Sequence, residues 1–152
     1  MSADANLHEL LEEAEAKVAR AAALYLHSAA KLGPFDPTRP YSPDELEPYD
    51  ALVTRFERAV EVFLKFFRTV ETFETAGTGS TVRDCLGLMC KLGLVHQVDQ
   101  WMEMREMRNR IAHDYLSDKV SGIYSLLIES YRPVVTEAVN AAVRYVDASR
   151  RR

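Results

Sequence analysis

The chain has 152 residues, of which 47% are hydrophobic and 28% charged, with a formal net charge of −4. That length suits one domain, residues 1–152, with a real core, and the negative balance argues against a broad, sequence-blind grip on nucleic acid, so any RNA contact must be local. The acidic start, MSADANLHELLEEAEAK, lacks the apolar centre of a secretory signal, and no apolar run approaches membrane-spanning length. A cytoplasmic location without membrane association is the expectation.

Only six glycines occur, and alternating strand patterns flanked by turn residues are hard to find. The pattern instead predicts an all-α, up-and-down bundle of about four long helices and one short one. Helix one is expected from Ala5 to Lys31, on the helical spacing of Leu7, Leu11, Ala14, Val18, Ala21, Tyr25 and Ala29, with Gly33 and Pro34 ending it. Residues 34–48, PFDPTRPYSPDELEP, then hold five of the six prolines. Pro34, Pro37, Pro40 and Pro43 stand three apart, which favours extended polyproline-like backbone. So long a connection invites a functional reading. The plainer expectation is a loop pinned across the bundle by Phe35 and Tyr41.

Helix two is expected from Tyr49 to Ala76, with Leu52, Phe56, Ala59, Phe63, Phe66, Val70 and Phe73 as its stripe. Arg55, Glu57, Arg58, Glu61, Lys65 and Arg68 read as a solvated face. GTGS (77–80) breaks the chain. Thr81 with Asp84 then resembles a capping box for a short helix to Leu92, and Gly93 suits its C-terminal cap. Cys85 and Cys90 stand five apart, neither C-x-x-C nor zinc spacing. They read as buried, reduced thiols. Neither a metal site nor another cofactor is expected.

Helix four is expected from Val95 to Tyr115. Ser117 or Asp118 can cap a fifth helix carrying Val120, Ile123, Leu127, Tyr131, Val134, Ala138, Ala142 and Tyr145, with a kink or break at Pro133. The terminal arginines read as a frayed, solvated tail.

One segment of helix four departs from the plain pattern. Val98, Trp101, Met104, Arg108, Ile111 and Tyr115 fall on one face at spacings of three and four, and only Arg108 among them is charged. A guanidinium keeps its proton at physiological pH, and burying it unpaired costs several kcal/mol. Arg108 must therefore pair with a carboxylate, cross a subunit interface, or border a solvent-filled cleft. His113 follows five residues later, about 140° around a straight helix. A helix that tightens or ends near Ala112, or two copies meeting across a dyad, can bring the two together. Asn109, one turn before His113, can orient its ring, and Glu106 with Arg110 makes a favourable i,i+4 pair.

The segment RNRIAHDY, with Arg108, Asn109, His113 and Tyr115 in an R-x-x-x-x-H-x-Y pattern near the end of the penultimate long helix, resembles the HEPN superfamily. The likeness is strongest to the HepT-like toxins encoded beside minimal nucleotidyltransferase antitoxins. It implies a metal-independent endoribonuclease with Arg108 and His113 catalytic, Asn109 supporting, and the motifs of two protomers lining a cleft in a homodimer. Histidine suits proton transfer to and from a ribose 2′-OH, and arginine suits the charge of a phosphoryl transition state. The resemblance further implies that Tyr115 contacts RNA or accepts AMP from the cognate nucleotidyltransferase antitoxin, silencing the toxin. A second reading is a non-catalytic subunit that presents a substrate or nucleotide to a nucleotidyltransferase. A third is a structural bundle in which Arg108 is a salt-bridge residue.

Overall fold

A computed structural model describes residues 2–77, 79–114 and 120–152. The elements are α1 (Ala3–Lys31), α2 (Pro43–Thr75), α3 (Val82–Lys91), α4 (Val98–Asp114), α5 (Val120–Ser125) and α6 (Tyr131–Ser149), with a π-helical turn, Leu126–Ser130, joining the last two. No strand occurs among the described residues, and the expected all-α, up-and-down bundle is what the chain forms. α1 packs mainly on α2 and α6, while α2 also carries α3 and α4.

Helix starts follow capping chemistry. Ser2, Ser42 and Thr81 each accept a backbone N–H three residues on, from Ala5 at 3.3 Å, Glu45 at 3.2 Å and Asp84 at 3.0 Å. The Ser42 cap corrects the sequence reading, because α2 begins at Pro43 rather than Tyr49. Pro43 sits in the first turn, where its missing N–H has no helical partner to lose. Pro48 lies one turn further in and forfeits one ladder bond.

The connection is thus shorter than 34–48, and it is folded rather than polyproline-like. The Asp36 carboxylate accepts the Thr38 N–H at 2.9 Å and its hydroxyl at 2.6 Å, and the Arg39 N–H reaches the Asp36 carbonyl at 3.3 Å. Phe35 stacks on Tyr41 with centroids 4.7 Å apart, and lies 5.1 Å from Tyr49 and 4.7 Å from Tyr124. Phe35 and Tyr41 do pin the loop to the bundle.

The core is a single cluster of aliphatic and aromatic side chains. Trp101 of α4 lies between Phe63 and Phe67 of α2, at centroid distances of 5.0 and 5.1 Å. Near Pro133 the helix does not break; it passes through the π-helical turn. Tyr131 N–H reaches back to the Leu126 carbonyl, and the Leu127 carbonyl accepts the hydroxyl of Tyr25, a fully buried α1 side chain. That bond satisfies a backbone oxygen in the interior.

Two further expectations change. Cys85 is buried, its thiol pushed up to about 11 chiefly by burial, but Cys90 is exposed. The terminal arginines are not a free tail: Arg150 pairs with Glu12 at 2.8 Å and Arg152 with Glu74 at 3.0 Å, and Glu74 also accepts the Tyr145 hydroxyl. Among the described residues, no helix is long and apolar enough to cross a membrane.

Candidate functional site

The interrupted stripe of α4 resolves into a helix face and its border. Trp101, Met104, Met107 and Ile111 are the buried side chains, so Met107 fills the core position that the spacing had given to Arg108. Arg108 stands beside it, half-buried. It borders a cleft of about 270 Å³ between α2, α3 and α4, whose other walls include Leu64, Lys65, Phe67, Val82 and Leu86. Among the described residues, Arg108 stands at the border of this cleft.

Its bonds are few. Nη2 and Nε donate to the Asn109 side-chain oxygen at 3.0 and 3.3 Å. Arg108 makes no ion pair among the described residues. Glu57 of α2 is close enough to feel its charge: burial raises the Glu57 carboxyl above the usual range, and Arg108 opposes that rise without cancelling it. Asn109, expected to orient His113, is engaged with Arg108 instead.

A second arginine on the same cleft makes the contrast. Arg68 Nη1 lies 2.9 Å from the Glu71 carboxylate and 3.0 Å from the Ser80 hydroxyl, and Ser80 donates to Glu71 in turn. Glu71 is only 6% exposed. Burial alone raises such a carboxyl; the bonds from Ser80 and Arg68 outweigh it and hold Glu71 below the ordinary value. The cluster ties Ser80, just before α3, to α2. The sequence reading had placed Arg68 on a solvated face.

His113 is exposed in the last turn of α4. The helix stays regular through Asp114, so Arg108 and His113 remain about 140° apart and about 7.5 Å along the axis. One chain alone does not turn both onto one face. Tyr115, and the cap expected from Ser117 or Asp118, lie outside the described residues. The Glu106–Arg110 pair does not form among the described residues. Arg110 instead exerts its charge on Tyr131, whose hydroxyl donates to Glu103 at 2.9 Å. No group of three His, Cys, Asp or Glu side chains among the described residues is placed to hold a metal ion.

Sequence reasoning missed Glu57 and the apolar cleft walls. Leu64 and Val82 carry no signal of their own, because they belong to different helices and meet only in the packed bundle.

The fold and this site define a helical bundle with an open cationic cleft at its motif helix. A family model described as nucleotidyltransferase substrate binding protein like matches residues 8–143, nearly the whole chain. The chain belongs to that family, which lies within the HEPN-like helical superfamily. A comparison with curated proteins gives no match.

Proposed function

We propose that this chain is the helical subunit of a nucleotidyltransferase pair and that Arg108 binds a phosphate of the substrate. One observation carries the reading: Arg108 is a half-buried guanidinium on an open cleft, and among the described residues its hydrogen bonds go only to a neutral amide oxygen. Arg68, on the same cleft, is completed by a carboxylate. An arginine left with free donors beside a cleft is poised for an external anion. The family description, with its substrate-binding role beside a nucleotidyltransferase, supports this reading.

A second reading is favoured by the complete R-x-x-x-x-H-x-Y pattern and by the exposure of His113. In it the chain is an endoribonuclease toxin that needs a homodimer, because two protomers supply the arginine and histidine that one α4 holds apart. An imidazole takes the ribose 2′-OH proton, the oxygen attacks the adjacent phosphorus, and the 5′-oxygen leaves with a proton, giving a 2′,3′-cyclic phosphate. Arg108 stabilises the charge of the transition state. The antitoxin then transfers AMP from ATP to the Tyr115 hydroxyl, with pyrophosphate leaving and the phenolic proton released. The added negative charge blocks RNA phosphate.

The deciding experiment uses the purified full chain. Light scattering gives its oligomeric state, and incubation with total RNA, with and without EDTA, gives its activity. The toxin reading requires a dimer and EDTA-resistant cleavage that both His113→Ala and Arg108→Ala abolish. Intact RNA, with binding lost only in Arg108→Ala, leaves the substrate-binding reading. RNA binding unaffected by Arg108→Ala removes both.

A further inference from the structure

We propose that the groove between α1 and α2 binds a single-chain carboxylate amphiphile, its head between Lys17 and Lys65 and its tail over Leu10 towards Leu7. The site is separate from the one proposed above: of its lining residues only Lys65 also borders the Arg108 cleft. The groove holds about 350 Å³, within the range of small-molecule sites. Fully buried Phe66 lies beneath it, and Leu7, Ala14 and Val62 are half-buried walls. Leu10 stands at its edge with 53% of its surface exposed, the most of any large apolar side chain among the described residues. The lining threonines keep their hydroxyls for their own helix, Thr69 donating to the Lys65 carbonyl and Thr72 to the Arg68 carbonyl, both at 3.1 Å. Between its ends the groove therefore offers a ligand mainly contiguous apolar surface.

Charge fixes the head. His8 meets Phe73 at 4.9 Å between ring centroids, and Tyr25 meets Phe56 at 5.6 Å. Both contacts obey one antiparallel register of α1 on α2, which sets Lys17 level with Leu64 and Lys65. Two ammonium groups thus reach one end of the groove from facing helices. Lys17 makes no ion pair among the described residues. Lys65 pairs with Glu61 at 3.2 Å, an exposed i,i+4 contact that costs little to exchange. Glu13 also lines the groove, but it is exposed and stands alone against the two lysines there. Leu7 lies about 15 Å along α1 from Lys17. The groove therefore fits an anionic head on an apolar body of about that length. An apolar helix laid across Leu10 would cover two like charges without neutralising them. A carboxylate on an alkyl chain neutralises them and covers the walls as well.

The experiment titrates the full chain with hexanoate, octanoate, decanoate and dodecanoate below their micellar concentrations, with decanol and decylamine as controls. Amide chemical shifts and light scattering are read. Decanoate shifts should map to residues 7–17 and 62–72. Affinity should rise about fourfold for each two methylenes, as for a chain with one side in solvent, and level off once the chain spans the groove. Decanoate should bind at least about tenfold more tightly than decylamine, and Lys17→Met should cut that preference at least about threefold. Leu10→Ser should weaken decanoate at least about fivefold, and an exposed leucine can be changed without risk to the core. The shift map and the chain-length series need no variant. Decanol or decylamine matching decanoate, or a preference unchanged in Lys17→Met, overturns the head and the proposal with it. Affinity that keeps rising past the groove's length marks plain adsorption and also overturns it. A dimer whose dissociation on dilution shifts the same residues assigns the groove to a second copy. Vesicles of phosphatidylcholine and phosphatidylglycerol bound more tightly than decanoate, with the same map, assign it to a bilayer. Either result overturns the proposal, as do shifts mapping elsewhere or no binding at millimolar concentration.

Discussion

Arg68 and Arg108 face the same cleft and are treated in opposite ways. Arg68 is closed off by Glu71 and Ser80, so its charge holds the segment before α3 against α2. Among the described residues, Arg108 donates only to the neutral side chain of Asn109. The difference lies in what each guanidinium is offered. The α2 register sets Glu71 three residues from Arg68, whereas Glu57 feels Arg108 only at longer range. On the function proposed above, the completed cluster at Arg68 holds structure and the open one at Arg108 receives a ligand.

The sharpest way to break this comparison is to remove each arginine in turn. Arg108→Ala should reduce RNA or nucleotide binding by about a hundredfold while changing stability by less than about 1 kcal/mol, since Arg108 has no ion pair among the described residues. Arg68→Ala should do the reverse. It strands a buried carboxylate, costing about 2–3 kcal/mol in urea unfolding, somewhat below the range for a fully buried pair because Arg68 remains partly solvated. Equal stability losses in the two variants would erase the distinction.

Tyr25→Phe tests a completed cluster elsewhere. It leaves the Leu127 carbonyl without its partner in the interior and should cost about 1–3 kcal/mol with ligand binding unchanged. A neutral result would mean that the π-helical turn rearranges to satisfy its own carbonyl.

Acid gives a smaller effect. The Glu71 carboxyl is depressed in the folded chain, so its stabilising share is present above the unfolded value of 4.5 and is lost as pH falls through the folded value. Glu71→Gln should therefore flatten the stability profile below about pH 4.5. A wild-type and variant profile of identical slope there would remove Glu71 from that role.

The smallest effect is expected at His8. Its Nδ1 lies 2.9 Å from the Asp4 carbonyl and its Nε2 3.1 Å from the Ser149 carbonyl. Two acceptors require both ring nitrogens to carry protons, and these carbonyls, Asp4 first, raise its pKa above 6.5. The link between α1 and α6 is therefore complete below 6.5 and weakens as pH rises through the folded value. The melting temperature should fall slightly more between about pH 6 and pH 8.5 for wild type than for His8→Gln. No difference between them would show that one carbonyl is satisfied by solvent.

Local chemistry made much of this legible before folding. The helical stripes of Leu11 to Ala29 and of Leu52 to Val70 became buried faces, since a period near 3.6 needs no tertiary information to place a side chain on one side. The Thr81 cap and the Gly93 turn, with φ of +79°, followed from backbone preferences of single residues. The Ser42 cap was equally local, but the neighbouring prolines drew the reading towards an extended loop. The motif pointed to Arg108 and His113 as side chains with chemistry to do.

Packing decided what those side chains meet. Within α4, Met107 and Arg108 are neighbours around the helix, and spacing alone cannot say which one is buried in the core. Nor can it say that Arg68 finds Ser80 while Arg108 finds an opening. Those outcomes depend on how α2, α3 and α4 close on one another, because a charge is completed or left open by side chains distant in sequence, and only the folded chain brings them within bonding range.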